Sequence, residues 1–283
     1  MKISVSLLNS YLYCSRKLFL EEVLMLKEPL KESVVFGTIR HEAYDMINKT
    51  EEDLVSSIEK GASLEQLKSK YAQTYHQILR KVVISNRKEL EQVSVSLIDA
   101  YRKSSQYISD EAELRSGNVF NFILENNVYG DELWRRLTPK IMSELRLESD
   151  ALKLKGIIDQ VHIYEEEHVP IELKTGKAPQ NGVWPGHRIQ LAAYSLLLQE
   201  HLKRPVKEGF VYYLDIKDKR HIAINPFMKD EVLKLVDEVI ALLESKDAPD
   251  FCNNKNKCAK CGLRATCYDN VAMEDLLKVK IVS

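Results

Sequence analysis

Apolar positions along the chain follow two different periods. Up to about residue 143 they recur at spacings of three and four, which predicts amphipathic helices over 3–24 and 34–48 and a helical insertion over 51–143. From residue 144 apolar and polar positions alternate, as in SELRLES, ALKLKGIID, QVHIY and HVPIELKT. Alternation of this kind predicts strands whose two faces meet different surroundings. The first half is therefore expected to be helical and the second half to contain a sheet.

The segment after the last of these strands, TGKAPQNGVWPG, is rich in glycine and proline and is predicted to be a loop. A helix is expected from about Gly186 to Leu202, then strands at EGFVYYLDI and HIAIN, then an amphipathic helix over about 227–245. We divide the chain into N-terminal helices (1–50), a helical insertion (51–143), a core (144–246) and a cysteine-rich tail (247–283).

Composition limits the classes of function. The 283 residues are 45% hydrophobic and 29% charged, with a formal net charge of −1, which is ordinary for a globular protein. A polycationic protein that coats nucleic acid is disfavoured, because such binding depends on neutralising phosphates. No apolar run approaches the roughly 20 residues of a membrane span, and the N-terminus lacks a signal-peptide pattern. We expect a cytoplasmic protein without a membrane partner.

Candidate catalytic chemistry lies in consecutive predicted strands. Glu172 and Lys174 are two residues apart and project from the same face of a strand, and Asp159 ends the preceding strand. Two carboxylates with a nearby ammonium suit Mg²⁺ or Mn²⁺ and the hydrolysis of a phosphodiester. An isolated E-x-K pattern on a strand is more often a solvated ion pair. The neighbouring motifs therefore decide the interpretation.

Cysteines mark both ends of the chain. Cys14 stands alone, and a C-x5-C-x2-C-x5-C pattern runs from Cys252 through Cys258 and Cys261 to Cys267. In a reducing compartment such a group is expected to bind metal rather than to form disulfides. The spacing is compatible with Zn²⁺ or an iron–sulfur cluster and does not separate them.

Taken together, the motifs G-I-I-D, I-E-L-K-T-G and Q-L-A-A-Y, preceded by G-T-I-R-H, resemble the RecB-like branch of the PD-(D/E)xK nucleases. The resemblance implies an α/β restriction-endonuclease-like core, with a mixed central sheet flanked by helices. It also implies roles for the matching residues: metal ligands His41, Asp159 and Glu172, catalytic Lys174, and DNA-contacting or site-supporting Gln190 and Tyr194.

The cysteines extend the resemblance to both ends of the chain. Some RecB-like nucleases hold a [4Fe–4S] cluster with one cysteine near the N-terminus and three in a C-terminal C-x2-C-x5-C pattern. Cys14, Cys258, Cys261 and Cys267 match that arrangement, which would join the N- and C-termini. The alternative is a zinc site made by Cys252 with the other three C-terminal cysteines, which leaves Cys14 free.

Within this branch the chain is similar to the CRISPR-associated RecB-like exonucleases (Cas-four type). That resemblance implies Mg²⁺- or Mn²⁺-dependent cleavage of single-stranded or flayed DNA ends, some endonuclease activity, and partnership with the spacer-integration proteins. Two alternatives stay open: an end-processing nuclease of recombination or repair, and a DNA-binding scaffold with little turnover. The chain has no G-x-x-x-x-G-K-[ST] motif, so a nucleotide-driven motor would be a separate chain.

Overall fold

The computed structural model describes residues 1–282, so Ser283 of the predicted tail lies outside the described residues. Its chain divides into two compact units. The core unit contains Met1–Pro29, Arg146–Ile158 and the chain from Val169 onward, and the helical unit contains Leu30–Leu145 and Asp159–His168. No helix among the described residues is long and apolar enough to cross a membrane.

The sheet has six strands: β1 (Ile3–Ser4), β2 (Lys140–Ser149), β3 (Leu154–Ile163), β4 (His168–Lys174), β5 (Glu208–Tyr213) and β6 (Asp218–Ala223). Their order is β1-β3-β4-β5-β6, with β2 paired to β3. Strand β1 is parallel to β3 and β4 is parallel to β5, whereas β6 is antiparallel to β5. The sheet is therefore mixed, as predicted, and the α/β class is confirmed.

The helices are α1 (Val5–Tyr13), α2 (Ser15–Glu22), α3 (Glu32–Ser56), α4 (Leu64–Ser85), α5 (Arg87–Gln92), α6 (Leu97–Asn126), α7 (Gly130–Arg136), α8 (Pro185–Leu202), α9 (Pro226–Glu244), α10 (Lys255–Ala259), α11 (Arg264–Tyr268) and α12 (Asn270–Val282). Helices α8 and α9 begin and end within one residue of the predicted positions. The loop predicted before α8 is also present, since residues 175–184 contain neither helix nor strand.

Helix α8 is the central helix of the core unit. It packs against α1, α9 and β5, and its residues from Ile189 to Leu198 are all buried. A helix that is buried on every side needs neighbouring elements on every side. At its start, Gly186 lies so close to the Asn9 side chain that a β-carbon would overlap it. Glycine at this position therefore allows α1 to approach α8.

The N-terminal helix predicted over 3–24 is wrong as a single element. Residues 3–4 form β1, and Cys14 interrupts the helix with an extended backbone (φ −168°, ψ 107°). The Cys14 side chain then caps α2, since its Sγ accepts a hydrogen bond from the backbone N–H of Lys17 at 3.3 Å. The apolar period continues across the break because both short helices bury one face, so periodicity alone could not reveal it.

The helical unit contains α3–α7, which share an apolar core. Helix α4 packs along α6, and each begins with a serine N-cap, Ser63 and Ser96. Helix α3 continues past the predicted end at residue 48 because Leu54 and Val55 are still buried. In this core Arg115 donates to Glu111, Glu51 and Asn48 at 2.6, 3.1 and 2.8 Å.

Candidate active site

Strand β4 positions Glu172 and Lys174 in the core unit. The strand lies between β3 and β5, so its residues from Val169 to Leu173 are buried. Glu172 is 2% exposed, and the Lys174 ammonium donates a hydrogen bond to its Oε1 at 2.6 Å. A pair with a buried carboxylate and a partly buried ammonium differs from the solvated ion pair that an isolated E-x-K pattern usually forms.

Helix α8 adds two side chains to this pair. Gln190 Oε1 accepts a hydrogen bond from the Lys174 ammonium at 2.8 Å, and Gln190 Nε2 donates to the Tyr194 hydroxyl at 3.2 Å. The two α8 residues are one turn apart and face the same side. The structure thus places four of the sequence-predicted site residues in one chain of hydrogen bonds, Glu172–Lys174–Gln190–Tyr194. Lys174 is fixed by two acceptors from two different elements.

His187 lies in the first turn of α8, one turn before Gln190. The sequence alone gave it no role. Its Nδ1 is 3.1 Å from the hydroxyl of Tyr213. Burial, with a smaller contribution from the positive charge of Lys174, lowers the pKa of His187 to about 4. The imidazole is therefore neutral near pH 7.

The predicted ligands His41 and Asp159 lie in the helical unit. His41 is on α3, and its Nδ1 is 3.4 Å from Asp159 Oδ1. Together with Glu144 they present three ligand atoms within 4.8 Å of one another. One imidazole and two carboxylates form a donor set that suits Mg²⁺ or Mn²⁺. The sequence predicts that Asp159 ends a strand, but in the structure Asp159 lies inside β3.

Glu144 was missed by the sequence interpretation. It lies in β2 with a left-handed backbone (φ +51°), a conformation that a non-glycine residue rarely adopts in a strand. Burial raises the pKa of its carboxyl group, and the nearby carboxylates of Asp159 and Asp45 raise it further. A divalent cation would relieve this repulsion. The sequence signal was only an alternating SELRLES segment, which does not distinguish Glu144 from the other glutamates.

Gly156 of the G-I-I-D motif packs directly on the Tyr194 ring. A β-carbon at this position would lie 2.7 Å from Tyr194 Cε1 and 3.1 Å from a methyl group of Val5. Real atoms do not approach so closely, and the Tyr194 side chain is buried and hydrogen-bonded. The glycine therefore allows the ring to reach the strand and keeps Tyr194 beside Gln190.

The five cysteines are free thiols, all partly buried, and all lie in the core unit. Burial is the main reason that the pKa of the Cys14 thiol is raised, and the nearby Cys252 raises it further. Arg16 Nε donates to the sulfur of Cys267 at 3.3 Å. The Tyr268 hydroxyl donates to the sulfur of Cys258 at 3.7 Å. Burial also raises the pKa of Cys261.

Other contacts join the two ends of the chain around these thiols. Arg16 donates to the carbonyl of Pro249 at 2.6 Å, and Lys257 donates to the carbonyl of Tyr13 at 2.8 Å. The backbone N–H of Gly262 donates to Glu28 at 2.6 Å. The N-terminal helices and the cysteine-rich tail therefore pack on each other through polar contacts, with Cys14 on one side and the remaining cysteines on the other.

A mixed sheet carrying a buried E-x-K pair beside a Gln–Tyr helix is typical of one class of nuclease. The chain matches the PD-(D/E)XK nuclease superfamily over residues 2–268, and it belongs to that superfamily.

Curated relatives narrow the comparison. The chain is 30% identical over 155 residues to a CRISPR-associated exonuclease Cas4/endonuclease Cas1 fusion of Leptospira interrogans, a match that covers 51% of this chain and 29% of that protein. It is 30% identical over 125 residues to a CRISPR-associated exonuclease Cas4 of Francisella tularensis subsp. novicida, covering 44% of this chain and 61% of that protein. A mouse DNA replication ATP-dependent helicase/nuclease DNA2 is 27% identical over 255 residues, covering 83% of this chain and 22% of that protein. The chain thus spans less than two thirds of the length of each of these relatives.

Proposed function

We propose that this protein is a metal-dependent DNA exonuclease that acts on single-stranded or flayed ends and processes DNA in the cytoplasm before CRISPR spacers are integrated. The observation that carries the proposal is the Lys174 ammonium, held between Glu172 and Gln190 in a chain of the PD-(D/E)XK superfamily. We propose the spacer-integration proteins as its partner. Relatives that are CRISPR-associated exonucleases, one of them fused to a Cas1 endonuclease, support the proposed process and this partner.

The proposed metal ligands are His41, Asp159 and Glu172, with Glu144 added from the geometry of the helical unit. The donor atoms of His41, Glu144 and Asp159 already lie within 4.8 Å of one another, and two of the three are carboxylates. A divalent cation at such ligands supplies Lewis acidity toward a phosphodiester. The raised pKa of Glu144 is consistent with a site built to receive positive charge.

We assign Lys174 to the hydrolysis of the phosphodiester. An ammonium has three N–H groups, and two of those of Lys174 donate to Glu172 and Gln190. The third can be directed at the attacking water or at a phosphate oxygen, where its charge stabilises the negative charge that develops as the P–O bond breaks. Gln190 and Tyr194 position this ammonium, because they fix the direction of its hydrogen bonds.

We further propose that Cys14, Cys258, Cys261 and Cys267 hold a [4Fe–4S] cluster. The proposal is supported by the thiol chemistry of these residues and by their location, since all four cysteines lie in the core unit and come from both ends of the chain. Burial raises the pKa of Cys14 and Cys261, so these thiols need a compensating metal charge to be bound as thiolates. Cys252 is the fifth thiol, which the proposed cluster does not use, and it serves as the control.

The cysteine assignment is tested by absorbance spectra of anaerobically purified protein and of five single Cys→Ser variants. The cluster predicts a brown protein with broad visible absorbance that Cys252→Ser retains and that substitution at each of the other four positions removes. A colourless protein containing zinc, with the metal lost in Cys252→Ser and kept in Cys14→Ser, would establish the alternative site.

The exonuclease assignment is tested with linear and circular single-stranded DNA of the same sequence in the presence of Mn²⁺. An enzyme that needs ends degrades the linear strand and leaves the circle intact. Equal cleavage of both substrates would show an endonuclease instead. A blunt duplex serves as the third substrate, and we expect it to be degraded more slowly than the linear single strand.

End processing in replication or repair is the second candidate function. The match to the mouse helicase/nuclease covers 83% of this chain, more than the CRISPR-associated relatives do. The two candidates differ in the phenotype of a Lys174→Gln strain. A role before spacer integration predicts fewer new spacers with normal survival after DNA damage, and a repair role predicts the reverse.

A further inference from the structure

A groove on the core unit lies beside Tyr194 and outside the chain of catalytic hydrogen bonds. Its volume is about 660 Å³, and it is lined by residues from β1, α1, β2, β3 and α8: Ser4, Ser6, Arg146, Leu147, Glu148, Lys155, Gly156, Ile157 and Tyr194. This volume is within the range of pockets that hold small ligands. The groove begins where the Glu172–Lys174–Gln190–Tyr194 chain ends.

The groove has an apolar wall and a basic rim. Ile157 is 37% exposed and contributes apolar surface together with Leu147. Arg146 and Lys155 are exposed and form no ion pair among the described residues, whereas Glu148 on the same rim is paired with Lys2 at 3.2 Å. Two cations without partners beside apolar surface are complementary to a phosphate joined to a base.

Hydroxyl groups complete the rim. Ser4 precedes α1 without capping it, and its Oγ is 2.8 Å from Ser6 Oγ. The first turn of α1 therefore has no side-chain cap from Ser4. Hydroxyls, amides and cations are the groups from which proteins bind phosphate oxygens.

We propose that this groove binds one nucleotide of a single DNA strand, with the phosphate at Arg146 and Lys155 and the base against Ile157. The inference rests on the proposed nuclease function and adds a subsite to it. A single strand is the occupant that fits, because a base can enter an apolar groove only when it is not paired and stacked in a duplex. The subsite would hold the substrate strand next to Tyr194 and so favour single-stranded ends.

The test measures binding of a fluorescent oligothymidylate by anisotropy in EDTA, so that it is independent of cleavage. Arg146→Gln/Lys155→Gln should weaken binding about tenfold and flatten the dependence of log Kd on log salt by about 0.7, as expected for one phosphate that is no longer neutralised on a single strand. Ile157→Ser should weaken binding with an unchanged salt slope. Arg204→Gln, an exposed cation of the same unit after α8, is the matched control and should bind normally.

Unchanged affinity and salt slope in the Arg146/Lys155 variant, as in Arg204→Gln, would overturn the subsite. Equal weakening for a blunt duplex of the same length would also overturn it, because the groove would then contact backbone only. The nuclease proposal is tested separately. If the wild-type protein shows the expected binding pattern but no cleavage, the nuclease proposal is wrong and the subsite is supported. If the protein cleaves DNA but the variants bind as the wild type does, the nuclease proposal is supported and the subsite is wrong.

Discussion

At the scale of single residues, Glu144 shows the most distinctive combination of backbone and charge. It has φ +51° in the middle of β2, and its ligand atom lies within 4.8 Å of those of His41 and Asp159. Unusual backbone conformations of this kind cost of order 1–3 kcal/mol and persist where surrounding structure holds them. The raised pKa of Glu144 adds an electrostatic cost to the conformational one.

Glu144→Gln should therefore have opposite effects on stability and on metal binding. Because the folded-state pKa is raised, the folded chain binds this proton more tightly than the unfolded chain, so the stability contributed by Glu144 is lost as pH rises through the folded pKa. In EDTA at mildly alkaline pH, the variant should have a higher free energy of unfolding than the wild type. The difference should vanish below the ordinary glutamate pKa.

In the same protein, Mn²⁺ affinity measured by titration calorimetry should fall by at least about tenfold, as it does when groups that support a metal are removed. Glu113→Gln is the control, since that side chain is 70% exposed and forms a surface ion pair with Lys68. An unchanged Mn²⁺ affinity in Glu144→Gln would exclude this carboxylate from the metal site.

At the scale of elements, β3 and α8 depend on close approach through Gly156. Gly156→Ala should destabilise the fold by about 1–3 kcal/mol and reduce nuclease activity, because the new methyl group displaces Tyr194 and with it Gln190. Gly117→Ala is a matched control. Gly117 lies in α6 with open space around its β-carbon position, so alanine there should stabilise the fold by about 0.5–1 kcal/mol.

The two variants are compared by urea unfolding and by nuclease rate. Equal stability and full activity in Gly156→Ala would show that the ring and the strand can separate without effect, and that Tyr194 does not position Gln190.

The helices α3 and α6 are joined by the buried Arg115 network. Arg115→Met removes the cation and leaves Glu111 and Glu51 buried without it, which should lower the free energy of unfolding by about 3–5 kcal/mol. Lys68→Met breaks an exposed pair with Glu113 and should change stability by about 1 kcal/mol or less. Similar small losses in both variants, measured by denaturant titration, would mean that solvent reaches the Arg115 network.

Much of the secondary structure could be predicted from the sequence. The strands β4–β6 and the helices α8 and α9 follow their hydrophobic periods, because each buries a regular face or is buried throughout. The break at Cys14 could not be predicted, since two short helices continue one apolar period. Glu144 could not be predicted either, because a left-handed residue in a strand has no periodic signal. The hydrogen bonds of Lys174 depend on β4 meeting α8, which only the fold determines.

At the scale of the whole molecule, the cysteine-rich tail packs on the N-terminal helices. Contacts such as Arg16–Cys267 and Lys257–Tyr13 connect residues separated by more than 240 positions along the chain. Holding such distant segments together removes many conformations of the unfolded chain. The proposed cluster would thus stabilise the same unit that carries Lys174, and its loss should lower nuclease activity through unfolding.

Lys174, held by Glu172 and Gln190, is proposed to be essential to nuclease activity. The most direct measurement is the Mn²⁺-dependent release of nucleotides from end-labelled single-stranded DNA by the wild type and by Glu172→Gln/Lys174→Gln. The double variant removes both charges together, so that neither is left buried alone, and its circular dichroism melt serves as the folding control. We predict activity that EDTA abolishes in the wild type and a loss of about 100-fold or more in the folded double variant. Equal rates for the two folded proteins would show that neither Glu172 nor Lys174 is needed for cleavage.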